Sequence, residues 1–99
     1  MIDDHFEWSE RKTAANRVKH GVGFEVARVV FRDVFAVEWR DRRENYGEER
    51  YMIIGMAEDR LLSVAYTMRD DRIRIIPARG AEPHERRQYH EKNRQFPRA

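Results

Sequence analysis

The chain has 99 residues, enough for one domain around a single small core. It has no cysteine, which excludes disulfides and thiolate metal sites. Charged residues make up 38% of it, yet the net charge is only +2, so overall charge assigns no partner. No apolar run is long enough for a secretory signal or a membrane span, and the expected location is the cytoplasm. The charge is unevenly spread: residues 68–99 carry nine basic and five acidic side chains, and the lysines are only Lys12, Lys19 and Lys92. Arginine pairs with phosphate bidentately, so a basic, arginine-dominated C-terminal third leans toward an anionic partner. The plainer reading is a solvated charged surface.

In chain order, Phe6 and Trp8 alternate in an extended lead-in that pins the N-terminus to the core. Ser9 is a fitting N-cap for a helix through Lys19, with Ala14, Ala15 and Val18 as its apolar stripe and Gly21 just past its end. A second helix is predicted over 23–31, with Phe24, Ala27, Val30 and Phe31 on one face. The pattern then turns to strands at 34–39, 50–57, 61–69 and 72–79, separated by a polar loop at 40–49 and turns at 58–60 and 70–71. Pro77 cannot donate a ladder hydrogen bond, so the last strand is an edge or is bulged there. A closing helix starts near Pro83 and runs to Asn93. The expected fold is α+β: two N-terminal helices, a four-stranded antiparallel sheet and a C-terminal helix in one domain over 1–93, with 94–99 as a tail.

Strand alternation puts Leu62, Val64, Tyr66 and Met68 on one face, and Ser63, Ala65, Thr67 and Arg69 on the other. Arg72 and Arg74 join the polar face, which a wet antiparallel sheet would leave open to a phosphate backbone. On the closing helix Arg86, Tyr89 and His90 share a face. They fit a site, or a solvated helix anchored by Tyr89. Lys19 and His20 fit the last turn of a helix, where cations complement its dipole. The four histidines show no metal-ligand spacing, and no P-loop, dinucleotide fingerprint or nucleophile elbow occurs, so no cofactor is expected.

Taken in order, FEW (6–8), NRVKHGV (16–22), GEER (47–50), and IRIIPAR (73–79) followed by ERRQY (85–89) resemble the BrnT family of bacterial toxins over roughly residues 6–91. The resemblance implies a metal-free ribonuclease of a type II toxin–antitoxin pair with a RelE-like fold. It also implies a BrnA-type antitoxin with a ribbon-helix-helix domain, so that DNA is reached only through the antitoxin. The sequence departs from the family pattern at Ser9, Val34, Pro77 and Glu82–Pro83, the last two beside the basic surface.

The resemblance points to Lys19, His20, Glu49, Arg79 and Arg86 as catalytic residues, and to Arg50 and Tyr89 as RNA contacts. Arg69, Arg72 and Arg74 of the polar sheet face join the RNA contacts. The roles expected are a general base in His20 or Glu49, and phosphate clamps in Arg79 and Arg86. Lys19 stabilises charge or donates a proton, and Tyr89 stacks on a base or orients the phosphate. The product is a 2′,3′-cyclic phosphate. Two other readings remain: a module that binds nucleic acid or protein through the basic face without cleaving, and a subunit of a larger complex whose arginine face is an interface, with Phe35 and Trp39 as an apolar patch or, more plainly, as core.

Overall fold

The computed structural model describes residues 5–43 and 47–94; the predicted tail at 94–99 lies outside them except for Arg94. The elements are β1 (Phe6–Glu7), α1 (Glu10–His20), α2 (Phe24–Ala27), a 3-10 segment (Arg28–Arg32), β2 (Val37–Asp41), β3 (Arg50–Ala57), β4 (Arg60–Arg69), β5 (Arg72–Gly80) and α3 (Pro83–Lys92). The fold is α+β, as the sequence implied. The sheet has five strands in the order β1-β5-β4-β3-β2 and is mixed, because β1 runs parallel to β5. This corrects the four-stranded antiparallel expectation: the lead-in becomes an edge strand, pairing Phe6 with Ile73 and Glu7 with Arg74. Among the described residues no helix is long and apolar enough to cross a membrane.

The β3–β4 and β4–β5 hairpins each close through two residues at positive φ, Glu58–Asp59 (47° and 67°) and Asp70–Asp71 (51° and 63°). That is the geometry a two-residue turn needs to match the strand twist, and Asp tolerates it better than most side chains. The second predicted helix is shorter than expected. One α turn ends at Ala27, and Arg28–Arg32 tightens into a 3-10 segment, where the β-branched pair Val29–Val30 disfavours α-helix continuation. The first long strand starts at Val37 rather than at Val34, which is 89% exposed. Before it, the Asp33 carboxylate accepts the Phe35 N–H at 2.9 Å and turns the chain.

One sheet face carries Ile53, Leu62, Val64, Tyr66 and Ile75, packed under Trp8, Val22, Phe24, Ala27 and Val30. The other carries Ile54 and Leu61 under Tyr89 of α3, with Phe35 and Trp39 packed against them. Both aromatic side chains are therefore partly buried. The face expected to be wet is dry through its middle: Ser63, Ala65 and Thr67 are 2%, 8% and 4% exposed. At the Ser63 end this follows from α3, whose Glu85 bonds the Ser63 hydroxyl.

The N-terminal helix holds to the sheet by polar groups. Ser9 caps it, its hydroxyl accepting the Lys12 N–H, and Gly21 ends it at φ +72°, a value that favours glycine. The side chains it buries are Thr13 and Asn16, while Ala14 and Ala15 are exposed and Val18 is 90% exposed. The expected apolar stripe thus faces solvent. Asn16 instead donates to the carbonyls of Val22 (2.7 Å) and Ala78 (2.8 Å) and accepts the Ala78 N–H (3.2 Å). Its amide acts as one more peptide group on the edge of β5, beyond the point where β1 stops.

That edge has an irregularity. Between the Tyr66–Ile75 and Val64–Ala78 pairs, β4 contributes Ala65 alone and β5 contributes Ile76 and Pro77. The extra residue is a bulge, which accommodates a proline with no N–H and returns Ala78 to the core face. Asn16→Ala leaves the buried Ala78 N–H without its partner. It should lower unfolding free energy by about 2–3 kcal/mol in urea denaturation. Val18→Ala, in the stripe that proved exposed, should stay within about 0.5 kcal/mol.

Candidate active site

The arginines of the polar face form a cross-strand row. Asp41 pairs with Arg50, Thr67 with Arg74 and Arg74 with Glu7, and all of these lie opposite the Phe24 core. Arg69 and Arg72 pair one step further on, at the hairpin tip, where Arg69 lies 3.9 Å from Glu7. Alongside, α1 stands against the β5 edge through Asn16 and presents its last turn.

Two clefts open there. One, of about 260 Å³, is lined by Lys12, Asn16, Lys19, His20, Ile76 and Pro77. The second, of about 240 Å³, is lined by Lys12, Glu48, Arg50, Thr67, Arg74 and Ile76. They share Lys12 and Ile76, so the clefts adjoin. The structure therefore brings Lys19 and His20 together, and sets Arg50 and Arg74 beside them. Lys12 and Asn16 were missed in the sequence. The signal for Asn16 was an amide within the NRVKHGV step on the inner side of a helix that has little apolar surface.

Arg79 lies two residues beyond Pro77, on the same sheet face as Ser63. Its guanidinium makes two parallel bonds to Glu85, at 2.7 and 3.1 Å. Ser63 donates to Glu85 at 2.9 Å and the Glu82 N–H at 2.9 Å, so the carboxylate has four donors. Burial pushes the Glu85 carboxyl up, but the bonds from Arg79, the Glu82 N–H and Ser63 outweigh it and hold it below its ordinary value. The bond to Glu85, against some desolvation, raises Arg79 further, so this cation is fixed in charge and direction. The Glu82–Pro83 departure supplies a working helix start: Glu82 and Glu85 form a capping box with Pro83 behind them.

Other expected members lie elsewhere. Glu49 accepts the Tyr51 hydroxyl at 2.8 Å and pairs with Arg40 at 3.1 Å. Its neighbour Arg50 faces the cleft, and Tyr51 packs on the opposite sheet face, so Glu49 is turned away from Lys19 and His20. Tyr89 is 2% exposed and donates to Asp33 at 2.7 Å, a carboxylate that also accepts the Met56 N–H. Its ring anchors α3 and presents no surface for stacking on a base. Arg86 lines a separate cleft of about 320 Å³ with Arg60, Asp59 and His90. Among the described residues no three His, Asp or Glu side chains come together to hold a metal ion.

Residues 8–85 match the family model described as "Ribonuclease toxin, BrnT, of type II toxin-antitoxin system". The chain belongs to the BrnT family. The matched span holds both clefts, Arg79 and Glu85, and ends before Tyr89. As a BrnT toxin the chain is of a ribonuclease family, with RNA as substrate and an antitoxin as partner. A comparison with curated proteins gave no match.

Glu85 supplies a pH test. Its carboxyl titrates lower in the folded protein than its ordinary 4.5, so the stability it contributes is complete above that pH and is lost as pH falls through the lower folded value. Glu85→Gln should be less stable at neutral pH and should lose less stability on acidification below pH 4.5 than the unsubstituted protein. Thermal unfolding across a pH series measures both.

Proposed function

We propose that this BrnT toxin is a metal-independent endoribonuclease whose reaction centre is the cleft between α1 and the β5 bulge, and that its cleavage of RNA inhibits translation. The reading includes a RelE-like fold, action in the cytoplasm and restraint by a BrnA-type ribbon-helix-helix antitoxin through which the pair contacts DNA. The observation that carries the site is the juxtaposition of Lys19 and His20 beside the Asn16-bonded edge, opening onto Arg50 and Arg74.

Cleavage without metal needs a base, a cation on the phosphorane and an acid. His20 takes the proton of a ribose 2′-OH, whose oxygen attacks the adjacent phosphorus. The P–O5′ bond breaks as the P–O2′ bond forms. Lys19 neutralises the charge gathering on the non-bridging oxygens and gives a proton to the departing 5′-oxygen. The products are a 2′,3′-cyclic phosphate and a 5′-hydroxyl. Arg79, bonded to Glu85 and 3.4 Å from Glu82, has its charge compensated and serves to brace α3 against β5. Glu49, Arg86 and Tyr89 take no part in the step.

The test is cleavage of end-labelled single-stranded RNA, free and ribosome-bound, by antitoxin-free protein in EDTA. Cleavage should persist in the chelator. Lys19→Ala and His20→Ala should each lower the rate by about 100-fold or more, and Glu49→Gln should stay within about twofold, the scale of a surface substitution. Wild-type rates in folded Lys19→Ala and His20→Ala would refute the assignment. Intact RNA on both substrates would favour a module that binds without cleaving.

A further inference from the structure

We propose that the cleft formed by Lys12, Arg50, Thr67 and Arg74 is a second phosphate site, which seats the phosphate neighbouring the one beside Lys19 and His20. The protein then grips a polynucleotide strand at two successive phosphates. This deepens the ribonuclease reading and rests on it.

Three observations support the second site. Its walls carry three cationic side chains, Lys12, Arg50 and Arg74, against one carboxylate, Glu48, which stands 3.9 Å from Arg50. The surplus is positive even with Glu48 ionised, and an anion entering the cleft meets charges set on three different elements, α1, β3 and β5. Next, Lys12 and Ile76 wall both clefts, so a strand leaving the first enters the second past the Lys12 ammonium. Lys12 can neutralise a phosphate from either side. Finally, Thr67 donates its hydroxyl proton to the Glu49 carbonyl at 2.7 Å. This bond ties the floor of the cleft to the segment that carries Glu48 and Arg50, and so fixes the spacing of the charges.

The lining also says what kind of contact this is. Among the described residues no Phe, Tyr or Trp lines either cleft; apart from the charged groups, His20, Asn16 and Thr67, the walls are aliphatic. The lining thus offers mainly charge to the backbone rather than a broad ring surface to the bases. Charge on phosphate positions a strand without reading its sequence, so the second site favours chains of several nucleotides over short fragments and tolerates any base.

The probe is a fluorescent six-nucleotide 2′-O-methyl RNA, which binds but offers no 2′-OH for attack, with one linkage at a time made an uncharged methylphosphonate. Affinity is read by anisotropy for the unsubstituted protein, Lys12→Gln and Arg74→Gln. In the unsubstituted protein two adjacent linkages should each cost about tenfold in affinity when neutralised, the scale of one charge-assisted contact. In Arg74→Gln one of those losses should shrink to about twofold or less while the other persists, and in Lys12→Gln, whose side chain walls both clefts, both losses should shrink. Lys12 is exposed on α1, so its variant serves even if Arg74→Gln disturbs the pairing with β1. A single sensitive linkage, or two losses unchanged in both variants, would overturn the second site. Failure of the parent all-ribose strand to be cleaved would instead count against the ribonuclease reading, and the anisotropy data would still decide the second site.

Discussion

A single side-chain amide sets the geometry on which the site depends. Asn16 occupies the β5 edge just where β1 has ended and Pro77 has removed an N–H, and it closes that gap with bonds to both peptide groups of Ala78. The third bond, to the Val22 carbonyl, pulls the chain back after Gly21 and turns it into α2. Thr13 completes the joint by accepting the Phe24 N–H at 2.7 Å. An α-helix with little apolar surface has weak reason to dock; here buried, satisfied polar groups do the docking, and they fix direction as well as contact. The last turn of α1 is thereby aimed along the sheet edge, and Lys19 and His20 go with it.

The sheet supplies the remaining charges by its pairing. Cross-strand registration puts Arg50, Thr67 and Arg74 on one face, and each sheet arginine near the groove has an acid nearby: Glu48 by Arg50, Glu7 opposite Arg74, Glu85 on Arg79. Such pairing keeps a crowded basic face from repelling itself. The acids differ in kind. Glu85 is buried and bonded by four donors, whereas Glu48 is exposed at a cleft rim. The first holds a cation in place, whereas the second forms an exposed 3.9 Å pair with Arg50 that contributes little.

Much of the fold was readable from the sequence. Periodicity and turn residues located β3, β4, β5 and α3 to within a residue or two, and Ser9 and Gly21 bounded α1. What failed did so for physical reasons. The apolar stripe on α1 assumed that a helix buries its hydrophobic side chains, and this one buries Thr13 and Asn16. A two-residue strand such as β1 is defined by its partner and leaves almost no pattern of its own. Among the site residues, Glu49 and Arg50 could have been separated beforehand, since neighbours on a strand face opposite ways. Tyr89 was legible as an anchor, being the only large apolar group on its helix. Its burial then follows. Lys12 carries no local signal at all, because its place in the groove depends on α1 lying along β5.

The proposed reaction centre requires RNA to meet the protein in the groove between α1 and the β5 bulge. The most direct measurement is an NMR titration of isotope-labelled protein with an uncleavable 2′-O-methyl RNA, following side-chain and backbone signals residue by residue. The account predicts that the shifts gather at Lys12, Lys19, His20, Arg50 and Arg74, with the Arg40–Glu49–Tyr51 cluster on the far face and the Arg60–Arg86 cleft left still. Shifts centred on either of those two places, with the α1 groove silent, would contradict it.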